Sequence, residues 1–352
     1  MRRSHGKTPQ PATLSRMMLR PPVTIPISLV HGMLSGVRAR GQACDAFLAD
    51  AGIAPELLER VGARVTAAQY IALFKSLIDR LDDECLGLLQ RPLKRGSFAL
   101  IARSALAAPD LEAAIRRIAR TFRLVQDDVV LEPVRQGDLA GLALRFTDPA
   151  FERPIFLHEC LLRAFWRLLA WLVGGRLRAA RFDFAFECPP HVGSYDKVFP
   201  APLNFGQAQS ACWFQATQLQ GPMRRDEAAL RAFLADAQAN IIVPQRGEET
   251  TARRVRDHLL LTQPMWPGLA ATANALHVST ATLQRHLAVE GTSFQALKDE
   301  LRRDIAIVCL NTSTVPLAAI AQELGFADSG AFQRAFKCWT GSSPGTYRRG
   351  GS

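Results

Sequence analysis

The sequence predicts a multi-domain chain, an α+β N-terminal domain followed by an all-α tandem helix-turn-helix domain. Three observations predict it. The length of 352 residues suits two or three domains at about 100–200 residues each. Strand-like alternation is confined to the middle of the chain. The last hundred residues carry only short helical patterns, and two of their turns repeat about 50 residues apart, at Ser279 and Ser329.

Composition bounds the function classes. Hydrophobic residues make up 48% and charged residues 21%, enough to bury long cores and unlike a disordered chain. Lys and Arg number 43 against 32 acids, a net +11. This excess favours a polyanionic partner, nucleic acid or a membrane surface. It sits at the two ends: residues 1–22 carry +5, residues 251–352 carry +4 (11 basic against 7 acidic), and residues 23–250 only +2. The seven cysteines, at 44, 85, 160, 188, 212, 309 and 338, include no C-x-x-C pair. Neither a disulfide framework nor a zinc ribbon is expected, and a reducing cytoplasm fits. The most apolar run, Leu161 to Gly175, is interrupted by Arg163 and Arg167, so no membrane span is expected. No apolar signal core follows the N-terminus.

Residues 1–22 have five basic residues, no acids and four prolines, and read as a disordered basic tail. Residues 23–243 form the expected α+β domain. Leu57, Leu58 and Val61 fall at helical spacing, as do Tyr70, Ile71, Phe74, Leu77, Ile78 and Leu81. Asp82-Asp83-Glu84 reads as a helix-start acid cluster. Two helices, Ala99 to Ala108 and Leu111 to Phe122, are separated by Pro109-Asp110, with Asp110 the N-cap of the second. Asp128 to Val134 and Leu142 to Phe146 read as a hairpin turning at Gln136-Gly137-Asp138. Ile155 to Val173 is a long amphipathic helix. Arg181 to Glu187 alternates as a strand with Phe182, Phe184 and Phe186 on one face, and Ala211 to Phe214 suits another. Arg225 to Ile242 closes the domain as one helix.

Residues 244–250 are a polar linker with both Pro and Gly. Residues 251–349 then read as six or seven helices. The linker breaks the periodicity, so residues 250–352 are expected to fold alone. The first motif is Leu269 to Leu276, the turn His277-Val278-Ser279, then Thr280 to Val289. Ala273 lets its helices cross closely and Ser279 caps the second. The second motif is Leu317 to Leu324, the turn Gly325-Phe326-Ala327, then Asp328 to Thr340. Gly325 takes positive φ, and Asp328 is the better cap. Phe294 to Leu310 connects the two motifs. Such a tandem can set two helices in successive major-groove segments, about 34 Å apart. The exposed faces then hold Thr280, Ala281, Gln284 and Arg285 on the first helix and Ser329, Gly330, Gln333 and Arg334 on the second. Arg pairs with guanine and Gln with adenine. Arg302, Arg303, Arg348 and Arg349 are candidate phosphate contacts, or simply solvated.

The segment Ile320 to Phe326, then Phe332-Gln333-Arg334-Ala335-Phe336-Lys337, Trp339 to Pro344 and Tyr347-Arg348, resembles the signature of AraC/XylS-type transcription regulators. Leu283 to Leu287 with Glu290 to Phe294 is similar to the family's first recognition helix and its exit. His277 stands where the family usually has a turn glycine, and Ala281 is small for a contact position. Asp83 to Leu89, Pro109 to Ile115 and Val198 to Phe205 resemble, less closely, the effector domain of the subgroup that includes ornithine-utilisation regulators. The resemblance implies binding to double-stranded promoter DNA, a small-molecule effector in the N-terminal domain and recruitment of RNA polymerase. It leaves open activation or repression, and homodimerisation.

Enzyme signals are weak. Gly341-Ser342-Ser343-Pro344-Gly345 matches G-x-S-x-G, but a nucleophile elbow follows a strand and here a helix precedes it. His158-Glu159 begins H-E-x-x-H, but position 162 is Leu. His191 and Tyr195 read as pocket residues or as satisfied polar side chains. No catalytic residue, cofactor or metal is expected. Effector-pocket candidates are Phe165, Trp166, Phe184 and Trp213, which also suit the core. The functional expectation is a cytoplasmic, sequence-specific DNA-binding regulator controlled by an effector. The alternative is a constitutive repressor whose N-terminal domain only dimerises.

Overall fold

The computed structural model describes residues 23–148, 153–242 and 250–349. The basic tail assigned to 1–22 and nearly all of the linker assigned to 244–250 lie outside the described residues. The chain divides into two compact units. One takes residues 26–53 and 67–242, the other residues 23–25, 54–66 and 250–349, counting described residues.

In chain order, β1 (Thr24–Pro26) leads into α1 (Ile27–Ala39) and α2 (Asp45–Asp50). A single 3-10 turn at Pro55–Leu57 and β2 (Arg64–Thr66) follow. The helical spacing of Leu57, Leu58 and Val61 is not realised: the 3-10 turn stops at Leu57, and Val61 is fully exposed. Next come α3 (Ala67–Leu81), α4 (Ser97–Leu106) and α5 (Leu111–Val125). As expected, Asp110 caps α5, accepting from the Ala113 amide at 2.8 Å. Of the acids at 82–84, only Glu84 serves a helix start, accepting from the Gly96 and Phe98 amides at 2.7 Å each. Asp83 is buried and instead gathers the amides of Cys85, Gly87 and Leu93, which shapes the loop after α3.

The hairpin β3 (Val129–Gln136) and β4 (Leu139–Phe146) turns at Gly137, whose φ is +55°. α6 (Ile155–Leu172) follows, then β5 (Ala179–Asp183), β6 (Leu203–Asn204) and β7 (Ser210–Gln215). The five-stranded sheet has the order β3-β4-β7-β5-β6, antiparallel except for the β5–β6 pair. β5 ends earlier than its alternation suggests because Asp183 already faces Ala211, one residue from the start of β7. α6 is buried nearly all round, not amphipathic: His158, Glu159 and Arg163 are buried along with its leucines and aromatics. A helix buried on nearly every side lies inside the core, and its polar side chains there find partners, as Arg163 does at the Ile241 carbonyl. The single helix expected over 225–242 is two, α7 (Glu227–Ala235) and α8 (Ala237–Ile242), broken at Asp236, where φ is −132° and ψ 45°.

The second unit contains α9 (Thr251–Leu261), α10 (Leu269–Ala275), α11 (Thr280–Val289), α12 (Phe294–Thr312), α13 (Leu317–Glu323), α14 (Ser329–Thr340) and α15 (Pro344–Arg349). These are the seven helices of its C-terminal part among the described residues. The unit is larger than residues 251–349, because β1, the 3-10 turn and β2 pack with it. No local signal in residues 54–66 could announce a partner some 240 residues later.

Candidate nucleic-acid interface

Each helix-turn-helix is built from local chemistry. In the first, the Ser279 hydroxyl accepts from the Thr282 amide at 3.1 Å and starts α11. His277 takes φ +58° in the turn, the left-handed region in which a glycine would be unstrained. Ala273, Leu283 and Leu287 are fully buried where α10 crosses α11. In the second, Asp328 accepts from the Ala331 amide at 2.7 Å and starts α14. Gly325 takes φ +70°, as its turn requires. Phe332 and Phe336 are fully buried, and Phe326 and Trp339 flank them with ring centroids 5.9 Å apart. Gly341, at φ +68°, ends α14, so the G-x-S-x-G match is a helix-terminating turn.

The two motifs are locked together. α12 runs between them with Leu297, Leu301, Ile305, Ala306, Cys309 and Leu310 buried. Trp266, ahead of α10, donates its indole N–H to the Glu323 carbonyl at the end of α13, at 2.8 Å. A Cβ on Gly325 would come within 2.8 Å of that indole. Arg302 of α12 lies between the rings of Trp266 and Phe326, 5.0 Å from each centroid. Lys298 donates to the carbonyls of Trp266 and Pro267 at 3.0 and 3.1 Å. Burial pushes both the Lys298 ammonium and the Arg302 guanidinium below their ordinary values, and the Arg302 charge lowers Lys298 further.

This scaffold leaves one face of each recognition helix open. Thr280, Ala281, Gln284 and Arg285 are exposed on α11, and Gln333 and Arg334 on α14. Ser329 and Gly330 are half-buried at the start of α14. Gly330 leaves room for its neighbours, since a Cβ there would lie 3.1 Å from an Asp328 carboxylate oxygen and 3.4 Å from an Arg334 guanidinium nitrogen. The phosphate-contact candidates are engaged inside the fold. Arg302 is stacked as described, Arg303 pairs with Asp304 at 3.1 Å, and Arg348 donates to the Val315 carbonyl.

Residues 41–223, more than half of the chain, match the family described as the arabinose-binding domain of AraC transcription regulator, N-term, and residues 272–350 match a helix-turn-helix domain. The chain belongs to the AraC-type transcription regulators. The ornithine utilization regulator of Pseudomonas aeruginosa is 28% identical to this AraC-type regulator over 92% of this chain and 96% of its own. The HTH-type transcriptional regulator VqsM of the same organism is 35% identical over 24% of this chain and 26% of its own. Among solved structures, the transcriptional regulator CdpR from Pseudomonas aeruginosa aligns over 93% of this chain and 99% of its own, with 20% identity and a TM-score of 0.31. These relatives are transcription regulators, and this AraC-type regulator carries a DNA-binding helix-turn-helix pair.

In the AraC-type N-terminal part, the four pocket candidates are core side chains. Phe165 meets Phe122 edge-on at 5.4 Å, and Trp166 meets Phe182 at 5.6 Å. Phe184 is fully buried against Tyr195, Phe199 and Phe205. Trp213 donates to Asp183 at 2.7 Å, with Arg181 over its ring. The polar groups weighed as an incomplete zinc motif and as pocket or satisfied residues find partners inside the fold. Glu159 is buried and accepts from His191 at 2.8 Å and from the Tyr195 hydroxyl. Tyr195 is held well above its ordinary value, first by burial and then by Glu159. His158 bonds Ser210 at 2.8 Å, and burial pushes its imidazole down to about 4. Among the described residues no group of three His, Cys, Asp or Glu side chains could hold a metal, and no helix is long and apolar enough to cross a membrane. On α14, Lys337 was missed. It is exposed one turn beyond Gln333 and Arg334, a helical spacing already present in the sequence.

Proposed function

We infer that this AraC-type regulator reads an operator with both recognition helices, and that a small molecule bound in the N-terminal part controls the binding. The observation that carries the reading is the matched pair of capped helices. Each buries its aromatic or leucine side and leaves a Gln-Arg pair, Gln284-Arg285 and Gln333-Arg334, on an open face. Bidentate Arg–guanine and Gln–adenine pairs need such an open face. Thr280, Ala281, Ser329 and Gly330 then line the close approach to the groove, and Lys337 adds a cation for the backbone. Arg302, Arg303 and Arg348 hold the scaffold, because a guanidinium already stacked or bonded is a poor clamp for a phosphate.

The effector is a small molecule bound among residues 23–243, and the relative's name makes ornithine the first compound to test. The regulator acts in the cytoplasm and contacts RNA polymerase, and a second copy of the chain supplies a further half-site reader. The test pairs duplex selection from a random-sequence library with a thermal-shift series on the full chain. A selected duplex with two half-sites supports the reading. A melting temperature that rises with ornithine or another amino acid supports effector control, because a ligand bound only by the native state stabilises it. A selected duplex with no thermal response across the compound series favours a constitutive repressor.

A further inference from the structure

The unit that carries the recognition helices is completed by chain that lies far from it in sequence. Residues 54–66 and strand β1 pack with it, and their two ends continue into the other unit. At the centre is Asp304 on α12, a carboxylate only 7% exposed. Thr24 donates its hydroxyl to Asp304 at 2.6 Å. Arg64 donates to the Thr24 hydroxyl at 2.7 Å and to the Thr24 carbonyl at 2.8 Å, and lies 4.0 Å from Asp304. Burial, with Arg303 next, pushes the Arg64 guanidinium down to about 10. The Arg64 amide donates to the Tyr347 hydroxyl on α15 at 3.0 Å. Two residues earlier, Gly62 lies so close to the end of α14 that a Cβ would meet the Thr340 backbone at 3.0 Å.

We propose that residues 54–66 are a strap belonging to the DNA-binding unit, and that Arg64 is a positioning residue for the second recognition helix. The contacts are one-sided. Those named reach the middle of α12, the end of α14 and α15, around the second helix-turn-helix, and the hydrogen bonds given above run to that motif rather than to α10 or α11. A buried carboxylate is kept in place only while its partners remain. Without the Arg64 guanidinium and the Thr24 hydroxyl, Asp304 keeps Arg303, and the strap loses the side-chain bonds that hold the Arg64 backbone amide against Tyr347. α14 then loses its support at the C-terminal end, and the angle at which its open face meets the groove relaxes. The first motif, capped by Ser279 and packed through Ala273, Leu283 and Leu287, keeps these supports in the variants. The inference rests on the DNA-binding reading above.

The test uses the full chain and a duplex selected by the wild type from a random-sequence library. The half-site read by α14 is the one whose base changes stop mattering in Arg334→Ala. Arg64→Ala should lose about tenfold in affinity, the size of one good base contact. Its remaining binding should depend on the first half-site and much less on the second. Amide hydrogen exchange should speed up over residues 340–349 and 300–310 and stay unchanged over 280–289. Arg64→Lys should restore part of both effects. Should Arg64→Ala fail to fold, Thr24→Val, which removes only the hydroxyl, takes its place with the same expectations. The proposal is overturned if the variant keeps both half-site dependences, or if exchange rises equally over both motifs. If the wild type selects no duplex, the DNA-binding reading fails, and the exchange pattern alone decides the strap.

Discussion

The indole N–H of Trp266 donates to the carbonyl of Glu323 at 2.8 Å, tying the entrance of the first helix-turn-helix to the end of the first helix of the second. Two DNA-reading helices act together only if their spacing is fixed to the groove repeat. Here the spacing rests on one ring, with Gly325 pressed against it and Arg302 stacked between it and Phe326.

Replacing this ring should therefore separate stability from geometry. Trp266→Ala removes a large, 9% exposed side chain and should cost about 3–5 kcal/mol. Trp266→Phe keeps a ring and loses the donor, costing about 1 kcal/mol. Calorimetric melting gives the two costs. Trp266→Phe should also tolerate a one-base change in half-site spacing better than the wild type, seen in gel-shift titrations. An unchanged spacing preference would mean that α12 alone sets the distance.

Direct readout is tested at Arg285 and Arg334. Each Ala variant should lose about 1–3 kcal/mol, and the loss should vanish when one guanine of its half-site is changed. Titrations over a panel of altered duplexes show this. An equal loss on every duplex would assign the side chain to phosphate contact.

His277 holds a positive φ of 58° without being glycine. A left-handed conformation costs a non-glycine residue of order 1 kcal/mol. His277→Gly should hold or raise the melting temperature, by up to about 1 kcal/mol, less what the freer unfolded chain takes back. His277→Val, β-branched at the same φ, should lower it. Thermal melts of the two variants give the order directly, and a Val variant as stable as the wild type would contradict the strain.

Acid sensitivity should centre on His158. Burial pushes it down to about 4, while an unfolded chain's histidine titrates near 6.5. The unfolded state therefore binds the proton first as pH falls. Stability carried by neutral His158 is complete above about 6.5 and is lost progressively down to about 4, to a total of about 3 kcal/mol. His158→Asn should flatten the fall in urea midpoint between pH 7 and pH 4 relative to wild type. An equal slope in both proteins would place the acid sensitivity elsewhere.

Much of the DNA-reading end was legible because its signals are local. A cap needs a side chain three residues from its amide, as in Ser279 with Thr282, Asp328 with Ala331 and Asp110 with Ala113. The hairpin at Gly137 and the turn at Gly325 are equally local, and so is the exposed placing of Gln284, Arg285, Gln333 and Arg334. Lys337 was open to the same reasoning.

The aromatic rows at 165–166, 184 and 213 were legible only as apolar. Whether an apolar ring lines a cavity or fills a core depends on what lies across from it. Here that is Phe122, Phe182, Phe199 and Asp183, brought in by other elements. The phosphate candidates turned on the same point, since Arg302 finds Trp266 and Phe326 only after folding.

The sequence by itself determined the two recognition helices, the caps that start them and which face of each stays open, because caps, turns and helical spacing act over three or four residues; it did not announce the break at Asp236 or the loss of helix at 58–61. Only the tertiary structure decided that Trp266 spaces the two motifs, that Glu159 gathers His191 and Tyr195, and that Arg64 reaches Asp304 across some 240 residues of chain. Those partners are matched by burial: a polar group withdrawn from water must find a complement among whatever the packed elements bring beside it, and no period or spacing along the chain encodes which residue that will be.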